Sequence, residues 1–233
     1  MASEYFDTGN DPRILFAINT LSKTLNMLRS RETGIIKRLA FRKELEEILK
    51  LLNRIRYFYL PKQELIQQEY FRKLEEKAQK LYHTLMGNYD EVKKISENLA
   101  KWLRFVLRNL LSLKERLISY PDDPASAVQR CFVNILSITK HPRADKLRVA
   151  LVTDGSEKFE IITNDPSVKA GEVVLLAFLP PKEFHGVVSE GMFLGPDGIR
   201  KGSAENVGES PTISEEESRK ILSEIYSFIK PSY

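Results

Sequence analysis

Three blocks, ITKHPRADKL (Ile138–Leu147), IITN (Ile161–Asn164) and GVVSEGMFLG (Gly186–Gly195), punctuate a stretch running from Val128 to Gly195. Within it, apolar residues fall in short β-branched runs: Phe132–Ile138, Leu147–Val152, Phe159–Ile162, Val173–Phe178 and Val187–Leu194. Turn formers separate the runs, namely His141-Pro142, Asp154-Gly155, Asn164-Asp165-Pro166, Ala170-Gly171 and Pro180-Pro181. Five strands in about 70 residues are too few for an immunoglobulin-type sandwich but enough for a small closed barrel, which leaves few sheet edges exposed. The economical solution is a five-stranded OB barrel.

Outward from this stretch the periodicity changes. Toward the N-terminus it is helical: Asp11-Pro12 opens a stripe through Ile14, Ile18, Leu21, Leu25 and Leu28. A second stripe runs from Ile35 through Leu39, Leu45, Ile48, Leu52 and Ile55 to the stop at Leu60-Pro61. The third follows Pro61 through Phe71, Leu74, Ala78, Leu81 and Leu85, and the fourth runs from Val92 through Leu99, Trp102 and Val106 to Leu117. Short turns between helices favour antiparallel neighbours, so the spacing predicts an up-and-down bundle or a pair of long helical hairpins over residues 1–120. Pro121-Asp122-Asp123-Pro124 is expected to be a linker (121–127), the barrel to span 128–203, and 204–233 to hold a loop and a helix capped by Ser214, with the polar stretch Lys201–Pro211 mobile. The expected class is thus α+β: an N-terminal antiparallel helical bundle, a five-stranded barrel and a C-terminal helix.

Composition narrows the function. Hydrophobic residues make up 42% and charged residues 29% of 233, as in ordinary globular proteins. The single cysteine, Cys131, excludes an internal disulfide framework and sits in an apolar run, where it reads as a buried core thiol. No apolar run approaches the span of a membrane, and the N-terminus shows no export signal, so a cytoplasmic location without membrane association is expected. The three histidines show no metal-ligand spacing, and neither a phosphate-binding glycine loop nor a nucleophile elbow is present. No catalytic residue, metal or cofactor is therefore expected. Residues 1–120 carry 23 Lys and Arg against 15 Asp and Glu, residues 121–203 carry 10 against 11, and residues 204–233 carry 3 against 6. Positive charge thus belongs to the helical half, where Lys94, Lys101, Arg104 and Arg108 on the fourth helix, and Lys37, Arg38 and Arg42 on the second, read as the solvated sides of amphipathic helices. The other reading is a second RNA contact on the bundle.

The blocks HPRADKL (His141–Leu147), IITN (Ile161–Asn164) and the G-V-x-S-E-G-M run (Gly186–Met192) resemble the tRNA-binding OB domain. That domain forms the C-terminal module of many methionyl-tRNA synthetases, occurs in EMAP-like cytokine precursors, and lies near the N-terminus of bacterial phenylalanyl-tRNA synthetase β subunits. The resemblance covers roughly Cys131 to Gly195 and does not touch residues 1–120. The expected RNA-binding residues begin with Lys140, Arg143, Lys146 and Arg148, four cations around the first loop whose phosphate contacts would make affinity salt-dependent. Asn164 is expected to read a base edge or ribose hydroxyl, or else simply to open the turn at Asp165-Pro166. The resemblance implies that Ser189 and Met192 contact RNA, with Glu190 orienting neighbours or accepting from an amino group. Lys182, Phe184 and His185 complete the set in a stretch that departs from its relatives: Glu183 stands where lysine is common and His185 where arginine is. Phe184 is available for stacking on a base, or for ordinary packing.

The function expected is a non-catalytic tRNA-binding protein of the translation apparatus, its barrel recognising structured tRNA. The helical half is then expected to pair two copies of the chain or to dock on an aminoacyl-tRNA synthetase as an accessory factor. The alternative is a polypeptide-binding module like the export chaperone that shares the barrel family.

Overall fold

The computed structural model describes residues 7–29, 34–196 and 198–230. They divide into two compact units, 7–127 with 226–230, and 128–225.

Among the described residues, the first unit is built from α1 (Pro12–Arg29), α2 (Gly34–Arg38), α3 (Phe41–Ile55), α4 (Lys62–Leu65), α5 (Glu69–Met86), α6 (Tyr89–Ile95), α7 (Glu97–Leu111) and α8 (Leu113–Ser119). The four long helices close a ring, α1 packing on α3 and α7, and α5 packing on the same two. Each apolar stripe faces inward: Leu45, Ile48, Leu52 and Ile55 of α3, and Phe71, Leu74, Ala78, Leu81 and Leu85 of α5, are all buried. The expected second helix is broken at Ala40, which takes a left-handed φ of 52° before α3. Its stripe skips from Leu39 to Leu45 there, a gap that no single helical face spans. The third helix is divided by an extended Gln68, and the fourth by Ser96, whose hydroxyl accepts a hydrogen bond from Leu99 N (3.3 Å) and caps α7.

The expectation of a solvated basic face on the fourth helix holds at the exposed Lys94 and is corrected at Lys101 and Arg104. Lys101 is 1% exposed and Arg104 6%, because α7 is buried on nearly every side. Lys101 Nζ lies 2.9 Å from Glu97, and the Arg104 guanidinium sits 4.8 Å from the centre of the Tyr89 ring. The segment expected as a linker is held to the bundle. Asp122 bonds Arg13 (2.8 Å) and Lys62, while the fully buried Arg116 donates to the carbonyls of Asn109, Ser126 and Ala127. Burial brings the Arg116 guanidinium down to about 10.

The second unit holds β1 (Arg130–Lys140), β2 (Arg148–Thr153), β3 (Lys158–Thr163), β4 (Val173–Phe184) and β5 (Val187–Phe193), followed by α9 (Glu215–Ile229), whose last residues belong to the first unit. All paired strands are antiparallel, in the order β3-β2-β1-β4-β5, and β3 also packs on β5, so the two ends of the sheet meet. The core follows the period of two: Cys131, Val133 and Ile135 from β1, Ala150 and Val152 from β2, Phe159 and Ile161 from β3, Val174, Leu176 and Phe178 from β4. Residues 201–211, expected to be mobile, are ordered by pairing. Lys201 bridges Val174, Val207 bridges Phe132, and the amide of Phe132 donates to Glu209 O. Ser214 caps α9 as expected, its hydroxyl accepting from Glu217 N while the Glu217 carboxylate accepts from Ser214 N.

Candidate nucleic-acid interface

The β1–β2 and β4–β5 connections are joined by three contacts. His141 is 5% exposed, and its Nε2 lies 2.9 Å from the carbonyl oxygen of Phe184. Its Nδ1 accepts from Arg143 N (3.1 Å), so the ring is the Nε2–H tautomer and donates to Phe184. The second contact is made by Arg143. A β-carbon placed on Gly186 would lie 3.0 Å from its guanidinium, which therefore rests against that glycine.

Gly186 is needed for a further reason. Phe184 pairs with Val187 across a two-residue turn in which both His185 (φ 47°) and Gly186 (φ 89°) are left-handed, the arrangement that matches strand twist in a tight hairpin. The His185 ring meets His141 edge-on, 6.2 Å between centres. One ledge thus carries the exposed Arg143, Lys146 and His185, with the exposed Lys140 at the end of β1.

Beside the ledge is a cavity of about 440 Å³. Leu147, Ile162, Leu179, Met192 and Ile199 supply its apolar lining, and Asn164, Lys182, Phe184 and Ser189 also face it. Asn164 is exposed at the end of β3, next to a turn in which Asp165 accepts from Ser167 N. Hydrogen bonds from Ser167 hold the Asp165 carboxyl below its usual range. The Lys182 ammonium sits 5.6 Å from the Phe184 ring and 3.4 Å from Glu224 of α9.

Three of the residues expected at the RNA are engaged by the protein itself. Ser189, 5% exposed, accepts from Ile162 N and donates to Gly191 O, each at 3.0 Å. Glu190, 4% exposed, accepts from Glu160 N (3.2 Å). These side chains on β5 satisfy backbone donors of β3 where the ends of the sheet meet, so the Ser-Glu pair seals the barrel. Arg148 donates to the carbonyls of Asp165 and Val168, bracing the turn after β3. On its other side β5 pairs closely with β4 at Gly191, where any β-carbon would collide with the carbonyl oxygen of Ala177. The role of His141 as the strap between the two connections was not read from the sequence; its one local signal is the adjoining Pro142, which biases the His141 backbone away from helix. Among the described residues no group of His, Cys, Asp or Glu is placed to hold a metal, and no helix is long and apolar enough to cross a membrane.

Comparison with known proteins bears on both units. Residues 131–212 match the family model described as a putative tRNA binding domain, and residues 5–119 match one described as an alpha helical domain. The phenylalanine–tRNA ligase beta subunit of Leptospira borgpetersenii serovar Hardjo-bovis is 46% identical over 70 residues, covering 26% of this chain and 9% of that subunit. The subunit from Thermotoga maritima is 39% identical over 62 residues, covering 22% and 8%. The chain therefore spans about a tenth or less of the curated relatives it matches. Among solved structures, a MetRS related protein from Pyrococcus horikoshii aligns with 28% identity and a TM-score of 0.31, over 35% of this chain and 86% of that one.

Proposed function

For a chain whose residues 131–212 match the putative tRNA binding domain, we propose a non-catalytic role in translation: the barrel binds folded tRNA, and the helical unit joins it to an aminoacyl-tRNA synthetase or to a second copy of the chain. The observation that carries the RNA reading is the fusion of the two connections. With His141 bonded to Phe184 O and Arg143 resting on Gly186, the cations of one connection are held beside the other, and Leu147 from the first and Phe184 from the second line a single cavity.

The chemistry suits a structured ligand. Arg143, Lys146 and Lys140 offer point contacts to phosphates, and Phe184 with the Met192 thioether offers an apolar face for one base or sugar. Phe184 is the one aromatic of these site residues, so shape decides binding more than sequence does. Ser189, Glu190 and Arg148 act by positioning: they seal the barrel and brace the β3 turn beneath the ligand.

An electrophoretic shift series with the full chain tests this, using folded tRNA and the same tRNA heat-denatured in chelator, each at increasing salt. Binding of the folded form with a steep salt slope supports the reading. Equal affinity for both forms, or capture of unfolded polypeptide in preference to tRNA, refutes it.

A further inference from the structure

From Arg54 to Lys73, 20 residues contain five aromatics and five cations against two acids, whereas aromatics make up 9% of the whole chain. Only one of these aromatics, Phe71, belongs to the fully buried core. Tyr57 is 60% exposed and Tyr59 39%, and Phe58 and Tyr70 are half-buried.

These side chains are ordered rather than merely left outside. At the end of α3, Arg54 donates to the Tyr70 hydroxyl (2.8 Å) with its guanidinium 5.0 Å over that ring, and Phe58 meets Tyr70 edge-on at 5.6 Å. The Arg56 guanidinium lies 5.6 Å from the Tyr57 ring and donates through Nε to Gly9 O (2.9 Å). Thr8 closes the corner, its hydroxyl donating to Arg56 O (2.7 Å) and accepting from Tyr59 N (3.1 Å). Tyr59 is thereby held at φ 50°, a left-handed conformation that a bulky residue adopts only when its surroundings impose it. Backbone strain and three hydrogen bonds thus serve a loop that presents two tyrosines to solvent and contributes little to the core.

We infer that this Arg54–Tyr59 corner is a second RNA contact, taking unpaired bases on the rings of Tyr57 and Tyr59 with the adjoining phosphates on Arg54, Arg56 and the exposed Arg72. Aromatic faces accept any base by stacking, and guanidinium groups beside them neutralise the backbone; the pairing is the one that binds single-stranded nucleic acid without sequence preference. Lys62 is paired with Asp122 and Lys73 with Glu69, so Arg54, Arg56 and Arg72 supply the charge complementarity. The inference goes beyond the barrel reading, since it gives the helical unit its own ligand.

The test uses the full chain, a single-stranded adenylate dodecamer as probe, and Tyr57→Ala, with Tyr226→Ala as an equally exposed control (58%). Loss of one stacking partner is expected to weaken dodecamer binding by about tenfold, leave the Tyr226→Ala protein unchanged, and remove photocrosslinks from 4-thiouridine-substituted probe to the tryptic peptide Tyr57–Lys62. Unchanged affinity in Tyr57→Ala, or no binding of the dodecamer by the parent chain, overturns the inference. So does binding to phosphatidylserine vesicles that Tyr57→Ala abolishes while dodecamer binding persists. The double variant Arg143→Ala/Lys146→Ala separates the two readings: if the barrel reading fails, tRNA binding survives that variant, whatever Tyr57→Ala does.

Discussion

The His141 ring donates from Nε2 to the carbonyl oxygen of Phe184, 2.9 Å away and 43 positions on in the chain, while its Nδ1 accepts from the amide of Arg143. One buried side chain therefore sets both the hairpin that carries Phe184 and the backbone that aims Arg143. His141→Ala is expected to cost about 1–3 kcal/mol, the usual loss when a buried hydrogen-bonding group loses its partner. It should weaken tRNA binding beyond that of a folded variant of equal stability. Thermal unfolding and shift assays on the same preparations check both.

Arg143 and Lys146 are exposed, and the one contact of Arg143 with Gly186 lies at the surface, so their removal should leave stability within about 0.5 kcal/mol. The double alanine variant is expected to lower tRNA affinity by about tenfold or more and to reduce the slope of log K against log salt by roughly 1.5. A salt titration of each protein reads the slope directly, and an unchanged slope would remove these two residues from the phosphate contacts.

Ser189→Ala and Gly191→Ala should destabilise the barrel with no RNA present. The first strands the amide of Ile162, at a cost of about 1–3 kcal/mol; the second forces β5 away from the Ala177 carbonyl and should cost more. Denaturant melts of the ligand-free proteins distinguish this from a contact role, under which the melts would match the parent.

Glu157 gives a pH dependence with a definite sign. Burial, and then the charge of Glu190, push its carboxyl up to about 7. The folded state therefore holds this proton more tightly than the unfolded chain, and the group's favourable contribution, complete below the ordinary carboxylate pKa, is lost as pH rises through about 7. Glu157→Gln is expected to flatten the stability profile across this window and to raise stability at pH 8 by on the order of 1 kcal/mol. Urea melts at a series of pH values would show it; parallel profiles for the two proteins would contradict it.

Much of the architecture was legible in the residues. The helical stripes marked the four long helices, because burial of a helix follows its own 3.6-residue period. Each of the five predicted strand runs overlaps an observed strand, and the inward positions of β1 to β4 alternate as the pleat requires. The break at Ala40 coincides with the gap in the stripe from Leu39 to Leu45, whereas the one at Gln68 was less visible, since a change of backbone conformation can leave the apolar spacing nearly intact. The candidate interface was legible as a set of segments: the sequence alone places HPRADKL and the Phe184–Met192 stretch at strand ends, and their residue types suit RNA.

Only the tertiary structure assigned the individual side chains. Ser189, Glu190 and Arg148 look like surface polar groups in the text, yet they are consumed by backbone donors and carbonyls that become available only where β3 meets β5 and where the turn after β3 folds back. Likewise Lys101 and Arg104 fall on a polar stripe in sequence but are buried, because α7 is enclosed on nearly all sides. A periodic pattern reports which face of an element is apolar. What the polar face will meet depends on partners distant in the chain, which is why His141 could be placed in a loop from its neighbours but tied to Phe184 only by the fold.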